Sequence, residues 1–136
     1  MEIVARALDL RRIRNWYFGL YTALRLHNMT HEYYPIVYVI SDRIYRYKPI
    51  CIGGSKFRFI KMKLSLFFGT IKIDSIKYSD PEKTLLDFIY LWRYRGLNSD
   101  EIIANILEYW KGISWNKIFS YAKKIHTTSS SNRKND

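Results

Sequence analysis

An Asp-Pro pair at positions 80 and 81 divides this sequence into two kinds of chain. Before it, apolar residues fall in short β-branched and aromatic runs; after it, they recur at helical spacing. Pro81 has a fixed φ and no N–H, so it suits the first turn of a helix rather than a strand. Asp80 can cap that helix, or Ser79 can cap it with Glu82 three residues on. Acidic residues there also suit the positive end of the helix dipole. A change of period at one point predicts an α+β chain in which strands precede helices.

The second half predicts three C-terminal helices. Leu85, Leu86, Phe88, Ile89 and Trp92 form one wide apolar stripe that stops at Gly96. Asn98 and Glu101 stand at capping-box spacing before Ile102, Ile103, Ile106, Leu107 and Trp110. Gly112 ends that helix. Ser114 caps a last one that would turn Trp115, Ile118, Phe119, Ala122 and Ile125 inward.

The first half predicts an N-terminal helix and then an antiparallel meander of about four strands. Residues 1–14 fit a short helix or an ordered lead-in. Residues 15–27 read as a helix, apolar on nearly every side, with Asn28 able to take a left-handed cap. Gly19 lowers that helix's propensity by roughly 1 kcal/mol relative to Ala. Residues 36–40 form a strand covered on both faces. Residues 44–48 alternate, with Arg46 and Lys48 on one face, and Pro49 interrupts, so an edge strand or two short ones are expected. Gly53 and Gly54 make a hairpin connection. Residues 56–63 and 70–78 are strands in which the apolar phase shifts, so each needs a bulge or bend. Residues 64–69 form an apolar turn or a single helical turn.

The length of 136 residues fits one domain, taken here as residues 15–126. Residues 127–136 contain nothing apolar and read as a disordered tail. No apolar run is long enough to span a bilayer, and Glu2, Arg6 and Asp9 break any signal-peptide pattern. The lone Cys51 sits between two isoleucines and reads as a small buried hydrophobe. The expected compartment is the cytoplasm.

A net charge of +11 permits a polyanionic partner, DNA or RNA first, and equally fits cations that only keep an Ile- and Tyr-rich chain in solution. Residues 1–63 carry 12 Lys/Arg and 4 Asp/Glu, a balance of +8; the remainder carries 11 and 8, a balance of +3. Tyr45, Arg46, Tyr47 and Lys48, then Lys56, Arg58, Lys61 and Lys63, interleave rings and cations as a platform for single-stranded nucleic acid would. Arg11, Arg12 and Arg14 can add phosphate contacts or form a solvated helix end. The competing reading puts the rings in the core and the cations in water.

Enzyme readings are weaker. His27 and His31, with Glu32 beside them, would resemble a metal pair on one helix, but Asn28 and Thr30 end the helix between them. Asp74, Asp80, Glu82 and Asp87, with Lys72 and Lys83, could serve a metal-dependent nuclease. A helix cap uses the same residues more simply. No nucleophile or phosphate-loop motif is present. No cofactor or metal is expected, and the chain reads as non-catalytic.

The wording of two stretches carries a resemblance. The first is an aromatic, Gly19, a short gap, Ala23-Leu24 and then His27 with Asn28-Met29-Thr30. The second is Ser79-Asp80-Pro81-Glu82-Lys83-Thr84-Leu85-Leu86-Asp87. With Phe57-Arg58-Phe59 and Phe68-Gly69 between them, they resemble the C-terminal domain of the AbiEi family, over roughly residues 15–125. AbiEi proteins are antitoxins of type IV toxin–antitoxin systems in abortive phage infection. The resemblance implies antitoxin or transcriptional-regulatory work without catalysis. It also implies a functional link to a nucleotidyltransferase-like toxin with no stable complex. Family members bind promoters through an N-terminal winged helix. The 14 residues ahead of Asn15 are too few for one, so the expectation is the C-terminal domain alone. Asn28 stands where the family has Gly. The motif residues Gly19, Ala23, Leu24, His27, Ser79, Asp80, Pro81, Glu82, Thr84, Leu85 and Asp87 are expected to be structural.

Overall fold

The computed structural model describes residues 1–30, 32, 34–109 and 111–135, with the backbone alone from residue 126 onward. A six-stranded mixed sheet is its centre, with strand order β3-β4-β2-β1-β6-β5. The strands are β1 (Trp16–Phe18), β2 (Ile36–Ser41), β3 (Ile50–Ile52), β4 (Ser55–Lys61), β5 (Thr70–Ile73) and β6 (Ile76–Ser79). Helices α1 (Glu2–Leu10) and α2 (Leu20–Leu26) lie in the first half; α3 (Pro81–Tyr94), α4 (Ser99–Ile106) and α5 (Trp115–Asn135) follow the sheet. The chain is α+β, as its change of period implies.

The sheet is not an antiparallel meander. β1 pairs with β6, and β2 with β4, in parallel. β1–β2, β3–β4 and β5–β6 are antiparallel. The cause is the segment 42–49. It was expected to hold an edge strand, but it forms a loop that returns the chain along the sheet before β3. Tyr45, Arg46, Tyr47 and Lys48 are all exposed there.

Both faces of the sheet are covered, and this explains the apolar phase shifts. Phe57 and Phe59 of β4 pack with Trp16, Phe18 and Val39 against Val4, Ala5 and Leu8 of α1. Ile60 and Met62 point the other way, into a core with Tyr17, Leu24, Ile40, Leu85, Phe88 and Ile106. Ser41 pairs Lys61 in an unbroken register from Ile36–Lys56 onward, so no bulge is present. Residues 70–78 are two strands joined at Asp74 (φ +56°) and Ser75, a hairpin in place of a single bent strand.

The helix expected over residues 15–27 is instead a strand and a shorter helix. Trp16 and Phe18 face the α1 side and Tyr17 the opposite core. A central strand buried on both faces is apolar at every position, as a buried helix is. Gly19 is the junction: its N–H donates to Tyr38 O at 3.1 Å, and a Cβ there would lie 2.6 Å from Ile40 Cδ1. Asn28 does adopt the left-handed conformation after α2 (φ +56°). Cys51, expected to be buried, is exposed on the edge strand β3.

The Asp80 cap forms as the sequence suggests. Its Oδ1 accepts the Lys83 N–H at 2.7 Å, with Pro81 in the first turn. Asn98 accepts from the Glu101 N–H at 2.9 Å and Ser114 from the Lys117 N–H at 3.3 Å. On α5 the inward stripe is Ile118, Tyr121 and Ile125. Trp115 and Phe119 are exposed, as is Ala122, one face over from the expected one. The backbone of α5 continues through Asn135, across the segment expected to be a tail. Trp110, His31 and Asp136 lie outside the described residues. Among the described residues, no helix is long and apolar enough to cross a membrane.

The Ser79–Asp87 motif builds a buried polar cluster. Lys83 and Asp87, four residues apart on α3, form an ion pair whose side chains are 0% and 2% exposed. Tyr17 donates its hydroxyl hydrogen to Asp87 Oδ2 at 2.7 Å, and Lys83 Nζ donates to the Tyr17 oxygen at 3.2 Å. Thr84 Oγ1 donates to Asp80 O at 2.7 Å, with Ser79 Oγ 2.6 Å away. His27 Nε2–H donates to Ser79 O at 2.8 Å. Tyr121 of α5 donates to Asp80 Oδ2, which also faces Lys117 Nζ at 3.2 Å. Burial pushes the Asp87 carboxyl up from its ordinary range, against the opposing pull of Lys83 and Tyr17.

Burial, with the Asp80 hydrogen bond, pushes the Tyr121 phenol up to about 12. A pKa raised by folding contributes stability that is complete below the unfolded value of about 10 and lost as pH climbs through the folded value. Tyr121→Phe should therefore melt below the native chain at pH 8, and the gap should narrow between pH 10 and about 12. Thermal melts across that range measure it; a constant gap would contradict the assignment.

Candidate nucleic-acid interface

A groove of about 740 Å³ lies where the end of β4 meets the last turn of α3. That size is typical of sites that enclose a small ligand or part of a larger one. Its floor is apolar, from Ile60, Met62 and Leu91. Its walls are aromatic and mostly basic, with one acid, Asp42: Tyr45 and Tyr47 come from the same 42–49 loop as Asp42, Tyr90, Tyr94 and the C-cap Arg95 from α3 and its end, and Arg58, Lys61 and Lys63 from β4 and its exit.

Local sequence accounts for each wall. Lys61 and Lys63 stand where β4 leaves the sheet and so remain in water. Tyr94 follows the buried stripe of α3 onto its exposed end, at 84% exposure, and Tyr45 and Tyr47 are 66% and 73% exposed. Exposed rings at a groove rim retain free π-faces for stacking. The 42–49 loop is held beside β4 by the Arg46 N–H, which donates to Phe59 O at 3.4 Å. Arg58, Lys61, Lys63 and Arg95 form no salt bridge among the described residues. The groove therefore offers positive charge and ring faces together, the two ingredients of sequence-tolerant single-strand binding.

The residues expected from the sequence to bind nucleic acid separate into four places. Arg58, Lys61 and Lys63 line the groove. Arg46 and Lys48 are exposed on the flanking loop. Lys56 opposes Cys51 beside the β3–β4 turn, at the far end of β4. Arg11, Arg12 and Arg14 lie between α1 and β1, all exposed. Tyr90, Tyr94 and Arg95 were missed, because they belong to a helix read only for its buried stripe. An aromatic-and-basic run over residues 90–95, beyond that stripe, was the available signal.

The carboxylates weighed for a nuclease do not form one site. Asp74 is exposed in the β5–β6 turn. Asp80 and Asp87 accept from Lys83, Tyr121 and Tyr17, and Glu82 Oε1 is 3.8 Å from Lys117 Nζ. Among the described residues, no three His, Cys, Asp or Glu side chains are grouped to hold a metal ion. The acids of the Asp80–Asp87 stretch hold α3 against β1 and α5.

No protein-family model matches the chain, and no curated protein matches it.

Proposed function

We propose that this chain is a non-catalytic nucleic-acid-binding module that holds its ligand in the groove between β4 and α3. The observation that carries the reading is the pairing there of three exposed tyrosines with Arg58, Lys61, Lys63 and Arg95, four cations that outnumber the single acid, Asp42, and form no salt bridge among the described residues. Phosphates would lie on the cations and bases on the rings. Binding that depends on phosphate contacts weakens as salt rises, with a slope near −0.7 per contact for single strands. Labelled single-stranded DNA and RNA titrated from low to high salt should show that slope. Changing Arg58, Lys61 and Lys63 to Glu should make it less negative by about 2 and leave the melting curve intact. Absence of binding by the native chain at low salt would end the proposal.

A second reading, antitoxin or regulatory work of the AbiEi type, is favoured by one observation. The two stretches that carry that resemblance meet in space, through His27 on Ser79 O and Tyr17 on Asp87. Co-expression with a nucleotidyltransferase-like toxin is the test. Restored growth without a co-purifying complex is the expected result; continued growth arrest would remove the antitoxin role.

A further inference from the structure

The end of the sheet beside the groove gathers charge from strands that the groove does not use. β2 and β4 run parallel and finish together at the Ser41–Lys61 pair, so Arg43 emerges beside Lys61 and Lys63. β1 runs antiparallel to β2, with Trp16 opposite Ser41, so Arg11, Arg12 and Arg14 enter at the same end. β6 is parallel to β1 and antiparallel to β5, which brings the Lys72–Lys77 pair there as well. Two contacts fix the neighbourhood. Asn15 Nδ2 donates to Asp42 Oδ2 at 3.3 Å, and Lys77 Nζ donates to the Arg14 carbonyl at 3.0 Å.

Eight cations thus cross the sheet end, and among the described residues none forms a salt bridge. Three carboxylates, Asp9, Asp42 and Asp74, share that end, so positive charge remains in excess. Lys72 and Lys77 stand directly opposite each other in the ladder, an arrangement that costs stability unless an anion intervenes. Partial burial pushes the Lys77 ammonium down from its ordinary range. Lys72 adds to that shift and Asp9 opposes it.

We propose that this strand end is a phosphate track continuous with the groove, and that the ligand is a single strand crossing the sheet from β4 to β5. The proposal rests on the nucleic-acid reading of the groove and extends it. From β4 to β5 is four strand intervals. At about 4.8 Å each they span roughly 19 Å. That is about six nucleotides at a stacked rise of about 3.4 Å, and fewer if the strand is extended. A free nucleotide or a very short oligomer would fill the groove and leave the track empty.

The test compares labelled oligothymidylates of three and twelve nucleotides on the native chain and on the Arg43→Glu, Lys72→Glu double variant. Both substituted residues are exposed and outside the groove lining, and circular dichroism melts check that the fold is kept. The expected result is tighter native binding of the twelve-mer, a loss of tenfold or more for the twelve-mer in the variant, and a change within twofold for the three-mer. The salt slope for the twelve-mer should become less negative by about 1.4. Native binding of the twelve-mer that the variant leaves unchanged, or an equal loss for both lengths, overturns the track while the groove reading stands. Failure of the native chain to bind either oligomer removes both.

Discussion

Replacing Asp87 with Ala is expected to lower stability by about 3–5 kcal/mol, the usual cost of leaving a buried charge without its partner. Lys83 is fully buried, and its ammonium has the Asp87 carboxylate and the Tyr17 hydroxyl as its polar contacts. Two rings also lie near it, with Nζ 5.3 Å from the Tyr17 centroid and 5.1 Å from that of Phe68. Removing the carboxylate leaves the buried Lys83 ammonium without its counter-charge. The melting midpoint should fall by roughly 10–20 °C for a chain of this length. A double variant, Lys83→Met with Asp87→Leu, should recover most of that loss, because two apolar groups need no partner. Denaturant titrations of the two variants decide the matter. If Asp87→Ala costs no more than an exposed substitution, the cluster is not what joins α3 to β1.

The second large effect is on binding. Stacking of a base on an aromatic side chain contributes about 1–3 kcal/mol. Tyr45→Ala with Tyr94→Ala should therefore weaken single-strand binding by about 30-fold or more. Both rings are exposed and support no core, so stability should hardly change. The salt slope should remain at its native value, because no phosphate contact is lost. Tyr45→Phe with Tyr94→Phe should retain nearly all of the affinity, since the π-face is unchanged. Loss of affinity in the phenylalanine pair would assign the tyrosines a hydrogen-bonding role and remove stacking from the groove. Anisotropy titrations at two salt concentrations separate the outcomes.

Local signals in the sequence located what local physics decides. Asp80, Asn98 and Ser114 cap helices where their spacing said they would, and the loop at Gly53 and Gly54 is a tight hairpin. These features depend on neighbours within a few residues. What failed depends on distant parts of the chain. Trp16, Tyr17 and Phe18 looked helical because a strand buried on both faces shows no alternation. The phase shift in β4 looked like a bulge because nothing local reports that α1 covers the opposite face. Residues 44–48 alternate as an edge strand would, yet they form the loop that lets β2 and β4 run parallel. For the groove, the β4 cations were legible but the α3 wall was not. Tyr94 and Arg95 meet β4 only through the fold.

The placement of β1 has a consequence for synthesis on the ribosome. β1 lies in the middle of the sheet, between β2 and β6. Its β2 neighbour follows within a few tens of residues, but Phe18 pairs with Tyr78, and Asp87 lies 70 residues beyond Tyr17. One edge of β1, and the Tyr17 hydroxyl, must therefore wait in water until α3 has left the exit tunnel. The emerging chain then holds an open, aromatic strand edge of the kind that pairs with the wrong partner. Its closure should be the late step of folding, timed by the arrival of the Ser79–Asp87 segment.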